Sequence, residues 1–486
     1  MSQALLLQGV LALPLLAAVL IIISGRSPNV REGVTLISAA GLFALVISLA
    51  PPVVDGARPA LTLAEPFPGL PLVLELEPLG LLFALVASFL WIITSIYSIG
   101  YMRAHHEAHQ TRFYACFAVA LSAAMGVAFA GNMLTLFVAY EVLTLSTYPL
   151  VTHAGSDEAK RAGRVYLGLL MGTSMGFLLL AMVWTWSISG TLDFDPGGIL
   201  LGKASNTVLS ILFVLYVFGI GKAALMPFHR WLPAAMVAPT PVSALLHAVA
   251  VVKAGVFTIL KVCVYVFGLE TVTTLAATQW LLYLAGATIV LASLVAMTKD
   301  NLKARLAYST ISQLSYVILG ALLATQTAVI GSAMHIAMHA FGKITLFFCA
   351  GAILVATHKT EVSDMRGLGR RMPITMAAFF IGSLSIIGLP PMGGTWSKWF
   401  LVLGTLETQQ MLLLGVLMLS SLLNIAYLLP VPVRGFFSKP KDELADGVKE
   451  APLPCLIAIV ITALGCMALF IYPEPLYRLS NLILSA

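Results

Sequence analysis

Long hydrophobic runs, separated by short polar segments, follow one another along the whole chain. Most have about 20 residues or more, which is the length that a helix needs to cross the hydrocarbon core of a bilayer. Bounded by charged residues, proline and glycine, they predict fourteen spans: 4–24, 33–51, 79–100, 112–130, 132–152, 163–187, 208–228, 241–266, 276–297, 304–324, 327–356, 374–406, 411–433 and 453–473. Continuous runs of this length satisfy their backbone groups as helices, so the pattern predicts an all-α polytopic membrane protein.

The basic residues between the runs indicate the topology. With the N-terminus outside, the inner loops carry nineteen Lys and Arg residues and the outer segments carry only Arg58, Lys203 and Arg478. Such an asymmetry is typical of membrane proteins and predicts fourteen crossings of the cell inner membrane, with both termini on the outer side. Because Met1 to Leu7 contains no Lys or Arg, we expect a retained first helix and not a cleaved signal peptide.

Composition narrows the class further. The chain is 59% hydrophobic and 10% charged, which excludes an ordinary soluble fold. Its net charge of +6 resides in short loops between spans, so we expect a lipid bilayer and no nucleic acid as its partner. The five cysteines form no CxxC pair, and we therefore expect no metal site, cofactor or disulfide.

One predicted outer loop is long. Residues 52–78 contain the alternating LTL and LVLEL segments, which could pair as a small hairpin. A simple spacer is an equally good interpretation.

Five lysines and one glutamate lie within predicted spans, where a charge costs at least ~2.5–3.5 kcal/mol and usually marks a transport route. They are Glu141, Lys222, Lys253, Lys261, Lys343 and Lys398. A buried hydrogen bond between helices would be a purely structural alternative for Glu141. Lys261 is near a span end, and whether its side chain reaches to the membrane surface or has another role stays open.

The sequence around two of these lysines suggests how a proton could be held. Pro227 and Pro233 follow Lys222 and interrupt the seventh span, which frees backbone carbonyls for water or a cation. Lys253 is central in the eighth span, with His247 before it. A lysine removed from water gives up its proton more readily, so both are candidate proton carriers.

The eleventh span carries a stripe of three titratable groups. His335, His339 and Lys343 are spaced four residues apart, which places them on one helical face over about 12 Å. This spacing favours a proton relay over isolated packing contacts. A metal site at the two histidines would need further ligands, and no HExxH motif is present.

The twelfth span is also interrupted, by glycine and proline residues in GLPPMGG just before Lys398. Two broken spans in corresponding positions indicate an internal repeat with ion sites at the breaks. If the repeats are five spans long, the odd number of crossings makes the second copy inverted. The predicted division is 1–111 with the external hairpin loop, 112–268 and 275–435 as the repeats, and 436–486 as an inner loop with a C-terminal helix.

These segments resemble a known family. TLFVAYEVLTLSTYPLV, GKAALMPFHRWLPAAMVAPTPVSALLHAVAVVKAGVF, LAYSTISQLSYVILG and LPPMGGTWSKW are similar to the antiporter-like subunits of respiratory complex I, membrane-bound hydrogenases and Mrp-type sodium/proton antiporters. The resemblance implies fourteen helices, two inverted five-helix repeats, and broken seventh and twelfth helices.

The resemblance also implies roles for individual residues. Glu141 and Lys222 correspond to the carboxylate–lysine pair thought to drive proton movement, and Lys253 to the central lysine. His335 or His339 corresponds to the histidine of the eleventh helix, and Lys398 to the exit residue. Some complex I subunits have glutamate at that last position, so Lys398 argues against that subtype.

The implied function is proton translocation within a larger membrane complex, along Glu141, Lys222, His247, Lys253, His335, His339, Lys343 and Lys398. Lys398 and the few residues after the last span favour a D-type Mrp subunit, exchanging protons and, where the complex does so, sodium. The alternatives are a proton-pumping subunit of an NADH–quinone oxidoreductase or hydrogenase, or the membrane half of an inorganic-carbon uptake complex. In each case, the chain itself would contain no catalytic residue, and its partners would be other membrane subunits.

Overall fold

The computed structural model describes residues 3–439 and 449–485. Within this part of the chain, eleven helices are long and apolar enough to cross a membrane: Gln3–Ile23, Pro28–Val54, Pro78–Ala104, Gln110–Ala128, Met133–Val151, Asp157–Ser189, Ala276–Thr298, Leu302–Leu323, Gln326–Thr357, Met411–Phe437 and Leu453–Ile471. The predicted all-α polytopic membrane fold is therefore confirmed.

Three further spans, the seventh, eighth and twelfth, are built from shorter pieces. The seventh has the helix Asn206–Gly219, the 3-10 turn Gly221–Ala223 and the short helices Trp231–Ala234 and Ala235–Val237. The eighth runs through Thr240–Ala244, Leu245–Val249, Val251–Lys261 and Val262–Phe267, of which the second and fourth have π-helical hydrogen bonding. The twelfth consists of Pro373–Ile387 and Gly394–Glu407. With these three, the described residues form fourteen spans.

The break in the seventh span begins earlier than the sequence suggested. The helix ends at Gly219, eight residues before Pro227, and Lys222 lies inside the break and not beside it. Close backbone packing explains this position. A Cβ at Gly219 would lie 2.5 Å from the backbone of Leu178, and one at Gly221 would lie 2.2 Å from the Thr173 hydroxyl.

The long outer loop at residues 52–78 contains the small hairpin, which was one of the two interpretations of its sequence. Strand β1 (Ala60–Phe67) pairs antiparallel with β2 (Leu70–Glu75), with register irregularities after Thr62 and Ala64. The amide of Glu75 donates to the Phe129 carbonyl at 2.7 Å, which anchors the hairpin on the loop between the fourth and fifth spans. A spacer without structure is therefore excluded.

Contacts between loops separate the two ends of the bundle. At one end, the hairpin contacts loop 129–132, and Asn132 bridges to Asp193. At the other, Arg103 pairs with Glu32, and Asn301 bridges to Glu361. We call these ends the hairpin face and the basic face, the second defined by loops 24–27, 105–109, 152–156, 299–301 and 358–372.

The end of the chain adds a helix that the span pattern did not predict. Glu474–Ser485 follows Leu453–Ile471 and has polar residues on one side only. Its Tyr477 ring stacks on Phe400 of the twelfth span at 5.5 Å between centroids. The segment after the thirteenth span thus contains two helices where one was expected.

Burial distinguishes central from peripheral spans. In an apolar stretch of 18 consecutive residues from Leu302–Leu323, 94% of the residues are buried within the bundle. The corresponding share is 33% in Gln3–Ile23 and in Leu453–Ile471. A helix that is hydrophobic all round is expected wherever lipid replaces water on its outer side. The tenth span, which carries many hydroxyl side chains, is therefore a central helix, as is Val251–Lys261 of the eighth span, where every residue is buried.

Gly255 of the eighth span is the contact that holds the break of the seventh, because a Cβ there would lie 2.3 Å from the backbone of Lys222 and Ala223. We expect Gly255→Ala to lower the free energy of unfolding by about 1–3 kcal/mol, as overpacking does. Gly168→Ala is the matched control, since its Cβ would contact nothing within 4 Å. Titrating each purified variant with SDS in mixed micelles measures its free energy of unfolding. Equal values for Gly255→Ala and Gly168→Ala would contradict the packing argument.

Candidate functional site

The lysines of the spans are enclosed by protein. Lys222, Lys253, Lys261 and Lys343 are fully buried, and Lys398 is 8% exposed. A buried ammonium needs hydrogen-bond acceptors in place of water. The surroundings of each lysine therefore show how the bundle stabilises it.

Lys222 lies against the fifth span. Its ammonium donates to the Tyr140 carbonyl at 2.8 Å and to the Thr144 hydroxyl at 2.5 Å, and it is 3.1 Å from the centre of the Tyr140 ring. The backbone amide of Lys222 donates to the Tyr140 hydroxyl. One residue thus supports both the side chain and the backbone of the break.

Glu141 follows Tyr140 and is 8% exposed. It is close enough to Lys222 for an electrostatic interaction, but no ion pair within 4 Å joins them in the described structure. Neither carboxylate oxygen of Glu141 has a hydrogen-bond partner among the described residues. The predicted partners are therefore neighbours, and Glu141 retains a free acceptor facing the bundle.

Lys253 contacts the eleventh span directly. Its ammonium is 2.7 Å from Nδ1 of His339, a distance at which the two nitrogens share one hydrogen bond. The ring of His339 stacks on His335 with centroids 5.7 Å apart. The eighth-span lysine and the two eleventh-span histidines thus form a continuous polar group.

This group continues into the twelfth span. Nδ1 of His335 is 2.9 Å from the hydroxyl of Ser397, and its ring stacks on Tyr316. The ammonium of Lys398 lies 4.7 Å from the centre of that same Tyr316 ring. Tyr316 and Ser397 therefore connect the histidine stripe to Lys398.

The break in the twelfth span supplies the acceptor for Lys398. The ammonium donates to the carbonyl of Ile387, the last residue of the first half-helix, at 3.0 Å. The lysine stem crosses Gly388, where a Cβ would lie 2.6 Å from its Cδ. Gly388 has φ +88°, a conformation that glycine adopts without strain.

Lys343, the third member of the stripe, points to the tenth span. It donates to the Ser309 hydroxyl at 2.8 Å, and Ser309 accepts a second bond from Tyr427 at 2.9 Å. Tyr427 also bonds to Asn424. Lys343 thus shares a helix with His335 and His339 but has its own chain of polar partners.

Lys222 and Lys253 are joined by packing and not by a side-chain hydrogen bond in the described residues. The backbone of Lys222 lies against Gly255, two residues beyond Lys253. His247 was predicted to stand between them, but its side chain lies outside the described part of the structure. The described residues of the predicted line therefore form one group around Lys222 and one from Lys253 to Lys398, while Lys343 bonds separately to Ser309.

Lys261, whose role the sequence left open, is fully buried, and its ammonium does not extend to the exposed surface of the bundle. It donates to the Ala130 carbonyl at 2.7 Å and pairs with Glu77 at 3.3 Å, below the hairpin. Glu77 also accepts from the amides of Leu79 and Gly80 and from Tyr265. Lys261 therefore belongs to a buried ion pair that caps the third span.

Sequence reasoning missed the hydroxyl partners of these lysines, because Ser, Thr and Tyr are common in membrane helices. It also missed Gln313, which is fully buried with both amide atoms unpartnered among the described residues. An amide in the central tenth span was a usable signal, since such a group needs a partner in lipid.

Known sequences resemble this chain over most of its length. Residues 130–424 match the family described as "NADH:quinone oxidoreductase/Mrp antiporter, TM". NADH-quinone oxidoreductase subunit N of Desulforudis audaxviator is 32% identical over 84% of this chain and 83% of its own. Subunit L of Mycobacterium tuberculosis is 31% identical over 81% of this chain and 62% of its own. The chain spans about half of the longer NAD(P)H-quinone oxidoreductase chain 5 of Synechocystis.

Solved structures share the fold. A chain of the Mrp complex from Dietzia sp. DQ12-45-1b has a TM-score of 0.90 at 20% identity, covering 100% of this chain and 97% of that one. A chain of an archaeal membrane-bound sulfane sulfur reductase has a TM-score of 0.87 at 23% identity, with the same coverage.

Removing one partner of the Lys261–Glu77 pair leaves a buried charge uncompensated. We expect Lys261→Met to lower the free energy of unfolding by about 3–5 kcal/mol. The double variant Lys261→Met/Glu77→Gln should recover part of that loss, because its amide is neutral and still caps the helix. SDS titration measures the stability of the single and the double variant, with the exposed Lys203→Met as control. A double variant less stable than Lys261→Met would contradict the ion-pair explanation.

Proposed function

We propose that this chain, which belongs to the NADH:quinone oxidoreductase/Mrp antiporter family of membrane proteins, moves protons across the bilayer along its buried lysines and histidines. The observation that carries the proposal is the 2.7 Å contact between Lys253 and His339. Both groups exchange protons, and neither has access to bulk water. A proton on either nitrogen can pass to the other along their hydrogen bond.

In this proposal, the group around Lys222 controls the release of the proton. A nearby Glu141 carboxylate favours the charged ammonium, and increasing their separation weakens that effect. Lys222 then gives up its proton toward the eighth span, whose backbone packs against it at Gly255. The free oxygens of Glu141 leave that carboxylate able to change partners.

Lys398 is the terminal carrier in this proposal. It is the most exposed of the five lysines and lies at the break of the twelfth span. The two breaks support the proposed division into inverted repeats, 112–268 and 275–435. The excess of Lys and Arg supports placing the basic face in the cytoplasm and both termini outside.

For the assembly, we propose a multisubunit cation/proton antiporter in which this chain is the D-like subunit and other membrane subunits are its partners. Its support is the full-length match to a chain of an Mrp complex, together with lysine at position 398. The 32% identity to a quinone oxidoreductase subunit favours the second candidate, a proton-pumping subunit driven by redox chemistry elsewhere. Sodium exchange belongs to the first candidate alone.

Proteins that co-purify with the tagged chain from mildly solubilised membranes distinguish these assemblies. We expect small membrane subunits, with proton movement that depends on added sodium. Recovery of quinone-reducing subunits, with transport driven by an electron donor and indifferent to sodium, would contradict the antiporter and favour the second candidate.

The assigned roles are tested by Glu141→Gln and Lys222→Ala in the assembled complex, reconstituted into vesicles with a trapped pH indicator. We expect each variant to reduce the proton translocation rate by about 100-fold or more. This is the lower end of the range by which a positioned proton-transfer group raises a rate. Lys203→Ala, an exposed lysine, should retain the wild-type rate. Normal rates in both test variants would refute the proposal.

A further inference from the structure

A second group of titratable residues lies on the basic face, apart from the line of buried lysines. Glu107 is in the turn between the third and fourth spans. One of its carboxylate oxygens is 3.9 Å from Nε2 of His105, and the other is 3.8 Å from Nε2 of His153, at the end of the fifth span. We call His105, Glu107 and His153 the basic-face triad.

The triad becomes progressively more buried from one residue to the next. The side chain of His105 is 31% exposed, that of Glu107 is 20% exposed and that of His153 is 2% exposed. Neither ring nitrogen of His153 has a hydrogen-bond partner of ordinary geometry among the described residues. A nearly buried imidazole is thus directed at a carboxylate that water still reaches.

Burial brings the pKa values of Glu107 and His153 closer together. Burial raises the pKa of Glu107, against the lowering effect of His105 and Lys303. Burial also lowers the pKa of His153, and Arg112 and His109 lower it further against a backbone contact with Ala108. The ordinary values are 4.5 and 6.5, so the carboxyl moves up and the imidazole moves down. Proton transfer between them therefore becomes easier in both directions.

The triad also adjoins the start of the eighth span, which carries Lys253. The Lys303 ammonium, which influences Glu107, donates to the Ala238 carbonyl at 2.5 Å. The ring of His105 is 5.6 Å from that of Tyr101, whose hydroxyl lies beside Thr240. Thr240 is the first residue of the eighth span. The ring of Tyr101 and the ammonium of Lys303 thus lie between the triad and the start of that span.

We propose that the basic-face triad is the site at which protons are taken up from water for transport. Glu107 accepts a proton from hydronium or a buffer acid and passes it to Nε2 of His153 or to His105, leaving the carboxylate ready for the next. This inference rests on the proposed function, since an uptake site needs a route to supply. It concerns the rate of proton capture and not the transfer steps around Lys222.

Proton capture limits transport most when protons are scarce. In the assembled complex in vesicles with the basic face outward, we expect Glu107→Gln and His153→Gln to reduce proton uptake roughly tenfold at pH 8, at the lower end of the range by which charged sites raise capture rates. At pH 6, the reduction should be less than about twofold, because hydronium is about 100 times more abundant. Adding imidazole buffer to the outer solution at pH 8 should restore the rate.

The matched control is His106→Asn, an exposed histidine in the same turn at φ +51°, which asparagine tolerates. It should keep the wild-type rate at both pH values. Triad variants that assemble normally and transport like His106→Asn would overturn the proposal, and so would a loss that is equal at pH 6 and pH 8 and is not restored by imidazole. The proposed function fails separately, by normal transport in Glu141→Gln and Lys222→Ala.

Discussion

A lysine ammonium inside a bilayer must find within the protein the hydrogen bonds that water would provide, and this constraint organises the whole bundle. Three of the five lysines in the spans use a backbone carbonyl: Lys222 with Tyr140, Lys261 with Ala130, and Lys398 with Ile387. The carbonyls of Ala130 and Ile387 lie at helix ends and are not committed to the helix ladder, whereas that of Tyr140 lies inside helix Met133–Val151 and offers its second lone pair. Breaks and helix ends are therefore places where this bundle offers a free carbonyl to a lysine, as for Lys261 and Lys398.

The other two lysines rely on side chains. Lys253 has the imidazole of His339, and Lys343 has the hydroxyl of Ser309. A carbonyl only accepts hydrogen bonds, whereas imidazole and hydroxyl groups both donate and accept them. Lys222 and Lys398 each have a hydroxyl partner beside the carbonyl, so the difference separates lysines with a carbonyl acceptor from lysines whose described hydrogen-bond partners can all carry a proton. The Lys253–His339–His335 group is of the second kind, and the hydroxyl of Ser397 extends it to the twelfth span.

Much of this architecture could be predicted because hydrophobic runs and basic loops report directly on the bilayer. The fourteen spans and the break at GLPPMGG follow from such local signals, and the alternating LTL and LVLEL segments gave the hairpin as one of two interpretations. The start of the break at Gly219 could not, since it depends on how closely that backbone packs on Leu178. The Lys261–Glu77 pair was missed for a similar reason. The two residues are far apart in sequence, and Glu77 was not placed within a span.

The stem of Lys398 lies across Gly388, which follows the first half-helix of the broken twelfth span. Its ammonium is attached to the second half-helix, while its carbonyl acceptor is the last residue of the first. A sliding of one half-helix against the other therefore changes the length of that hydrogen bond without any rotamer change. The acceptor of the proposed terminal carrier is therefore set by the relative position of the two half-helices.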